Sequence, residues 1–326
     1  MNQEKIRELE NLITSDYSNI AGIIVQKNGT KLYENYFNEY RPDNAIHVYS
    51  VTKSVFSALI GIAIDKGYIK NADQKVLDFF PYYNIKPGEK TIQDITIKNL
   101  LTMTAPYKYK TEPYEKFFTS QNPIQDALDL LGGDKTIGEF NYSAIGGTHI
   151  LSGILVSATG QSVLEFAEKH LFSPLGIHVT HNVVLRNKEE HITVMNDRNT
   201  SGWVVDPQGI NTASWGLFLT VEEMTKIGQL YLDGGKCNGK QIIPAEWIDE
   251  STKEHSRWSE LSYGYLWWVI DDKKHTYAAL GDGGNVIYIN TNKKIVVSIA
   301  SFFMPEAKDR IALIIEHIEP VFENCT

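Results

Sequence analysis

The stretch from Val55 to Ile64 (VFSALIGIAI) is apolar nearly all round. A helix without a polar face has to be buried on every side, so other elements must enclose it. The spacing predicts about four helical turns, closed by Asp65-Lys66-Gly67 with Gly67 just past the end. Directly before it stands Tyr49-Ser50-Val51-Thr52-Lys53-Ser54, and Ser50 is the only serine followed by a lysine three residues on. If the helix starts at Ser50, positions i and i+3 share a face and the Lys53 ammonium reaches the Ser50 hydroxyl. The helix start also brings free N–H groups and the positive dipole end to that hydroxyl. These are the parts of a Ser-Lys acyl-transfer site, although the spacing alone is common and needs corroboration elsewhere in the chain.

At 326 residues the chain is long for one core and reads as two subdomains. An amphipathic helix is expected over residues 3–15. Two β-rich runs, 21–27 and 31–37, flank Asn28-Gly29, whose tolerance of positive φ marks a tight hairpin. Residues 68–200 show short helical segments near 76–81, 95–103, 123–131, 149–158 and 162–171, the last opened by the Ser162/Glu165 capping box. Residues 178–210 carry no clear pattern. Thr220-Val221-Glu222-Glu223 opens another helix, running to Leu232 and stopping at Gly234-Gly235. Strand character returns over 263–270, 277–280, 285–290 and 294–301, and a helix over 309–318 closes the chain. Two β-rich ends bracketing a helical middle predict one antiparallel sheet built from both termini with a helical insertion. The expected division is residues 1–67 with 260–326, and 68–259.

Composition narrows the functions. The net charge of −9 and the lack of any Lys/Arg-rich run argue against nucleic-acid binding. No apolar run is long enough to span a bilayer, the N-terminal decapeptide is polar, and no membrane partner is expected. Two cysteines, Cys237 and Cys325, suit a reducing compartment, and a cytoplasmic location is the expectation. Gly234 to Lys240 has P-loop spacing, but Gln241 replaces the hydroxyl residue that would hold magnesium. Gly281-Asp282-Gly283-Gly284 lacks the sixth-position glycine of a dinucleotide fingerprint. His178 and His181 have no further metal-ligand spacing, and no Gly-x-Ser-x-Gly elbow occurs.

A hydroxyl nucleophile needs a base, a proton relay and an oxyanion site. Lys53 serves as base only if burial lowers its pKa well below the usual value of about 10.4. Tyr142, in Phe140-Asn141-Tyr142-Ser143-Ala144, sits at a turn before a helix, where a phenol can pass a proton to a leaving group. Leu280-Gly281-Asp282-Gly283-Gly284-Asn285 reads equally well as a plain glycine hairpin or as a place where a ligand approaches the backbone.

Ser50-x-x-Lys53, then Tyr142-Ser143-Ala144, then a glycine-rich strand at 281–284, resembles in order the serine β-lactamase and penicillin-binding-protein superfamily. The likeness is greatest to its class C β-lactamase-like branch, which also holds esterases, D-amino-acid peptidases and oligoamide hydrolases. The phrases Ile95 to Thr104, Trp215 to Met224 and Tyr263-Gly264-Tyr265-Leu266-Trp267-Trp268 extend the resemblance over nearly the whole chain. It implies an α+β fold, with an antiparallel sheet of about five strands flanked by helices, an all-α subdomain, and the active site between them. It implies Ser50 as the acylated nucleophile, Lys53 as base or relay, Tyr142 as second base, and the backbone N–H groups of Ser50 and Asn285 as the oxyanion hole. No cofactor or metal is implied, and the partner is a small ester, amide or peptide; oligomeric state is left open.

Two departures touch substrate recognition. Ala144 stands where the superfamily has an asparagine amide, and Asp282-Gly283-Gly284 stands where a lysine or histidine docks a substrate carboxylate. An aspartate there repels a carboxylate by about 1 kcal/mol or more. The expected substrate-binding residues are Asp282, Gly283, Gly284, Ala144, Tyr107 and Trp215, with Tyr109, Trp203 and Trp267 as further candidates for the cleft. The resulting expectation is a serine hydrolase weak against β-lactams, the alternative being a protein that is acylated or binds without turnover.

Overall fold

The structure, a computed structural model, describes residues 3–195 and 197–323, so Cys325 lies outside the described residues. Strand β1 (Ile20–Lys27) and β2 (Thr30–Tyr36) are joined at Asn28 and Gly29, whose φ angles of +51° and +76° form the tight turn that Asn-Gly predicts. The other six strands of this sheet come from the C-terminal part: β3 (Ser256–Trp258), β4 (Leu261–Tyr263), β5 (Trp268–Asp271), β6 (Thr276–Gly281), β7 (Asn285–Asn290) and β8 (Ile295–Ser301). They form one antiparallel sheet in the order β2-β1-β8-β7-β6-β5-β4-β3, so the first strand pairs with the last.

The sheet has eight strands where about five were expected. One reason lies in the run from Tyr263 to Ile270, which is two strands. The chain turns between them, with Leu266 at φ +61°, and Tyr263 pairs with Trp268 across the turn. A side chain at Gly264 would overlap the Ser251 carbonyl oxygen, so the aromatic phrase Tyr-Gly-Tyr-Leu-Trp-Trp is a close-packed corner.

The central strands are buried on both faces, and alternate residues go to different cores. Ile20, Ile23 and Val25 of β1 pack with Leu9 and Ile13 of helix α1 (Gln3–Asp16). Leu313, Ile314, Ile318 and Phe322 of the closing helix join the same core. Ala21 and Ile24 face the other way, into the large core containing helix α2 (Val51–Asp65). Every residue of α2 from Val51 to Ala63 is buried, as an all-apolar helix requires. It ends at Lys66, with Gly67 at φ +75°.

Around α2 gather helices α3 (Ile97–Leu101), α4 (Pro123–Leu130), α5 (Gly146–Thr159), α6 (residues 163–175) and α7 (Val221–Leu232). Capping boxes open three of them, at Thr96/Asn99, Ser162/Glu165 and Thr220/Glu223. Residues 178–210 hold a helix, Lys188–Met195, and a parallel pairing of Asn182–Val184 with Trp203–Val205. Such short pieces depend on partners distant in the chain, which is why no local pattern announces them. Gly234 to Lys240 forms a small hairpin turning at Asn238 and Gly239, both with positive φ. No single helix among the described residues is long and apolar enough to cross a membrane.

Candidate active site

The turn into α2 positions the first two candidates. Tyr49 has φ +49°, an uncommon conformation for a residue with a large side chain. Ser50 follows as the N-cap, its hydroxyl making no capping bond. Lys53 Nζ donates to Ser50 Oγ at 2.9 Å and to the Ser214 carbonyl at 2.9 Å. The Ser214 carbonyl is held in place from behind. Ile46 and His47 pair with Leu219 and Phe218, Val48 N–H donates to Leu217 O, and Gly216 N–H donates to His47 Nε2. Residues 216–219, from the phrase Trp215 to Met224, therefore run alongside the Ser50 turn.

Lys53 is only 2% exposed. Burial lowers its pKa to about 8, against the opposing pull of the Asp282 and Glu112 carboxylates. That value lets a useful fraction of the amine stand neutral near pH 8 and accept the Ser50 proton. His47, fully enclosed, is pushed down to about 3 and stays neutral.

Tyr142 stands over this pair, with Lys53 Nζ 5.7 Å from its ring centroid. The residue is 37% exposed, while loss of hydration raises the phenol well above the usual range, opposed by its hydrogen bond with the Ser50 side chain. The ring is one of a row of aromatics. It stacks on Trp268 at 6.0 Å and on Phe140 at 6.5 Å, and Phe140 stacks in turn on Trp258.

The third stretch contributes differently from expectation. Gly281, the last residue of β6, lies against the Ser50 turn, where an added Cβ would fall 2.2 Å from Val48 O and 3.3 Å from Ser50 N. Asp282 is exposed beside the site. Gly283 and Gly284 do not line it. Gly283 packs on the Phe302 carbonyl and Gly284 on the Arg310 guanidinium, behind the turn. Asn285 is fully buried; its side chain donates to Asp282 O and Ser301 O and accepts from Ser301 N–H, fastening the turn to β8.

Among the aromatics, Trp203 and Trp267 are fully buried core residues. Tyr107, 4% exposed and stacked on Tyr109 at 5.1 Å, packs behind the Tyr142 turn against Gly147. Their size and apolar rings let them fill the interior, which is why aromatic content alone misplaced them. Trp215 does line open space: a cavity of about 870 Å³ whose walls include Phe118, Ile145, His191, Val205 and Trp215. Ala144 is part-buried, and its N–H is taken by Glu112. Glu112 is a residue that sequence reasoning missed, because nothing in Lys110-Thr111-Glu112-Pro113 marks it. Among the described residues no group of His, Cys, Asp and Glu could hold a metal ion, and His178 and His181 belong to none.

The beta-lactamase family profile matches residues 15–318, almost the whole chain. The chain belongs to that family. As a member it is a serine hydrolase of the beta-lactamase type. It is 22% identical over 309 residues to the 6-aminohexanoate-dimer hydrolase of Paenarthrobacter ureafaciens, covering 87% of this chain and 73% of that protein. In fold it is similar to a family VIII carboxylesterase, with a TM-score of 0.71, 16% identity and coverage of 97% and 96%. It is similar also to a D-stereospecific amidohydrolase from Streptomyces sp., with a TM-score of 0.70, 16% identity and coverage of 100% and 99%.

Proposed function

We propose that this family member cleaves an ester or amide through an acyl-enzyme on Ser50, and that it is a poor β-lactamase. The observation that carries the reading is the buried Lys53 amine 2.9 Å from the Ser50 hydroxyl, with its pKa lowered to about 8. Neutral Lys53 takes the Ser50 proton as Oγ attacks the carbonyl carbon. The Ser50 N–H, at the positive end of α2, stabilises the resulting oxyanion. The second donor is better sought at the Gly281–Asp282 peptide than at Asn285, since Gly281 is the residue that meets the Ser50 backbone. Tyr142 gives its proton to the leaving group and recovers it from the Lys53 ammonium. Water then attacks the acyl carbon, with the same groups returning the proton to Ser50.

The substrate follows from charge and space. Asp282 disfavours a carboxylate beside the scissile bond. The cavity lined by Trp215 has apolar walls at Phe118, Ile145 and Val205 and polar ones at Glu115, Arg186 and Asp206, which suits a substrate group of mixed character, while the exposed Tyr142 and Trp258 rings offer apolar contact. A relative that acts on 6-aminohexanoate dimer makes an amide substrate as reasonable as an ester.

The test pairs a short-chain p-nitrophenyl ester with a chromogenic cephalosporin on wild type and Ser50→Ala. The reading expects ester turnover that disappears in Ser50→Ala and far slower cephalosporin turnover. Cephalosporin turnover matching the best ester would defeat it, and a single acylation without release would mark a non-turnover acceptor instead.

A further inference from the structure

We propose that Glu112 is the positioning residue of the Tyr142 turn: its carboxylate fills the helix start beside Tyr142 and holds the phenol over Ser50. The inference rests on the catalytic reading of Ser50 and Tyr142 given above. Glu112 lies in the connection between α3 and the helix Tyr114–Thr119, far in sequence from the turn it holds. One carboxylate gathers four donors from four consecutive residues. Oε1 accepts from Ser143 Oγ at 2.8 Å, Ile145 N at 3.0 Å and Gly146 N at 2.7 Å, and Oε2 accepts from Ala144 N at 2.6 Å.

These backbone donors stand at the start of α5, where N–H groups have no partner within the helix and the dipole favours an anion. Neither the N-cap residue Ile145 nor the first turn of α5 supplies an acid, so the charge comes from outside. Ser143 links the carboxylate to the backbone again, since its Oγ also accepts from Gly147 N at 2.8 Å. Tyr142 immediately precedes this clamped run. Its own side chain has ring contacts on Phe140, Tyr263 and Trp268 and a hydrogen bond with the Ser50 side chain, so the backbone beneath it needs a constraint that keeps the phenol at that bond. The clamp on residues 143–146 supplies that constraint. Glu112 also takes up the anion-binding capacity of this helix start, leaving none for a substrate carboxylate.

Misplacement of a catalytic group by about 1 Å costs on the order of 10²-fold in rate. Glu112→Ala is therefore expected to lower kcat by about 10²-fold with KM nearly unchanged, because Glu112 does not touch the substrate. Acetate, a carboxylate small enough for the emptied nest, is expected to restore much of kcat in a saturable way, whereas chloride at equal ionic strength does not. Glu112→Gln, equal in size but presenting an amide N–H where only acceptors fit, is expected to lose kcat without acetate rescue. It serves as the test should the alanine variant fail to fold.

The proposal is overturned if a folded Glu112→Ala or Glu112→Gln keeps kcat within about threefold of wild type. It is overturned equally if kcat falls and acetate restores nothing to the alanine variant. Ser50→Ala, run beside these, separates the cases: activity that survives in Ser50→Ala defeats the catalytic reading, whatever Glu112 does.

Discussion

Two turns meet over one hydroxyl in this protein, and they are held in place by opposite means. The Ser50 turn is fixed by backbone and by apolar packing. A helix buried on every side follows it, Val48 is bonded to Leu217, and Gly281 presses against it without a side chain. The Tyr142 turn leaves its tyrosine partly in solvent; it is tied to Met103 through the Asn141 N–H and otherwise fastened by one carboxylate from a distant loop, which accepts four bonds. The first arrangement spreads its support over backbone and apolar contacts, while the second draws most of its hydrogen bonds from one group. In the proposed mechanism the rigid turn carries the nucleophile and base, and the clamped turn carries the group that faces each leaving group.

The largest effect is expected at the rigid turn's buried amine. Lys53→Met should lower kcat/KM by about 10²–10⁴-fold, as loss of a general base does. It should also change how stability responds to pH. The folded value of about 8 lies below the unfolded 10.5, so between those pH values the unfolded chain binds more protons. The Lys53 contribution to stability therefore rises with pH across that window, by about 3 kcal/mol, and the Met variant lacks this contribution, while the loss from buried tyrosines above pH 10 is common to both proteins. Denaturant melts at pH 7 and pH 10.5 measure the difference; parallel curves for the two proteins would break the account of the turn.

Next in size is Gly281→Ala. A Cβ 2.2 Å from Val48 O forces the nucleophile turn to move, so activity should fall by about 10²-fold. Gly283→Ala offers the contrast. Its strain, from φ +78° and the Phe302 carbonyl at 2.6 Å, falls behind the site. It should lower Tm while sparing much more of kcat. Equal activity losses in the two variants would erase the distinction between the faces of the glycine stretch.

That stretch also shows how far sequence reaches. Ser50, Lys53 and the helix behind them are neighbours in the chain, so spacing and apolar pattern place them directly. The hairpin at Asn28-Gly29 and the boxes at Ser162 and Thr220 are legible for the same reason, since their chemistry is complete within four residues. Which glycine touches Ser50 depends on how β6 docks on α2, and pattern favoured Gly283 and Gly284 over Gly281. Glu112 is further still from legibility: its partners are about thirty residues away and it belongs to no motif. Trp203, Trp267 and Tyr107 were misplaced because a large aromatic serves a core as readily as a cleft.

A smaller effect is expected from Asp282→Asn. The Asp282 carboxylate holds the Lys53 pKa up against burial, so its removal should move the basic-side rise of kcat/KM, centred near pH 8, to lower pH. A shift to higher pH would contradict the placement of Asp282 beside the amine. Smallest is Thr220→Ala, which removes the cap of α7 and should cost about 1 kcal/mol of stability with much the smallest change in kcat of the series.

The central claim is that Ser50, activated by Lys53, is the residue that becomes acylated. Intact-mass and peptide-mass measurement after treatment with a fluorophosphonate probe tests it most directly. The account predicts one adduct per chain, located on Ser50, absent in Ser50→Ala and formed far more slowly in Lys53→Met. An adduct on another residue, or labelling of Lys53→Met at the wild-type rate, would contradict it.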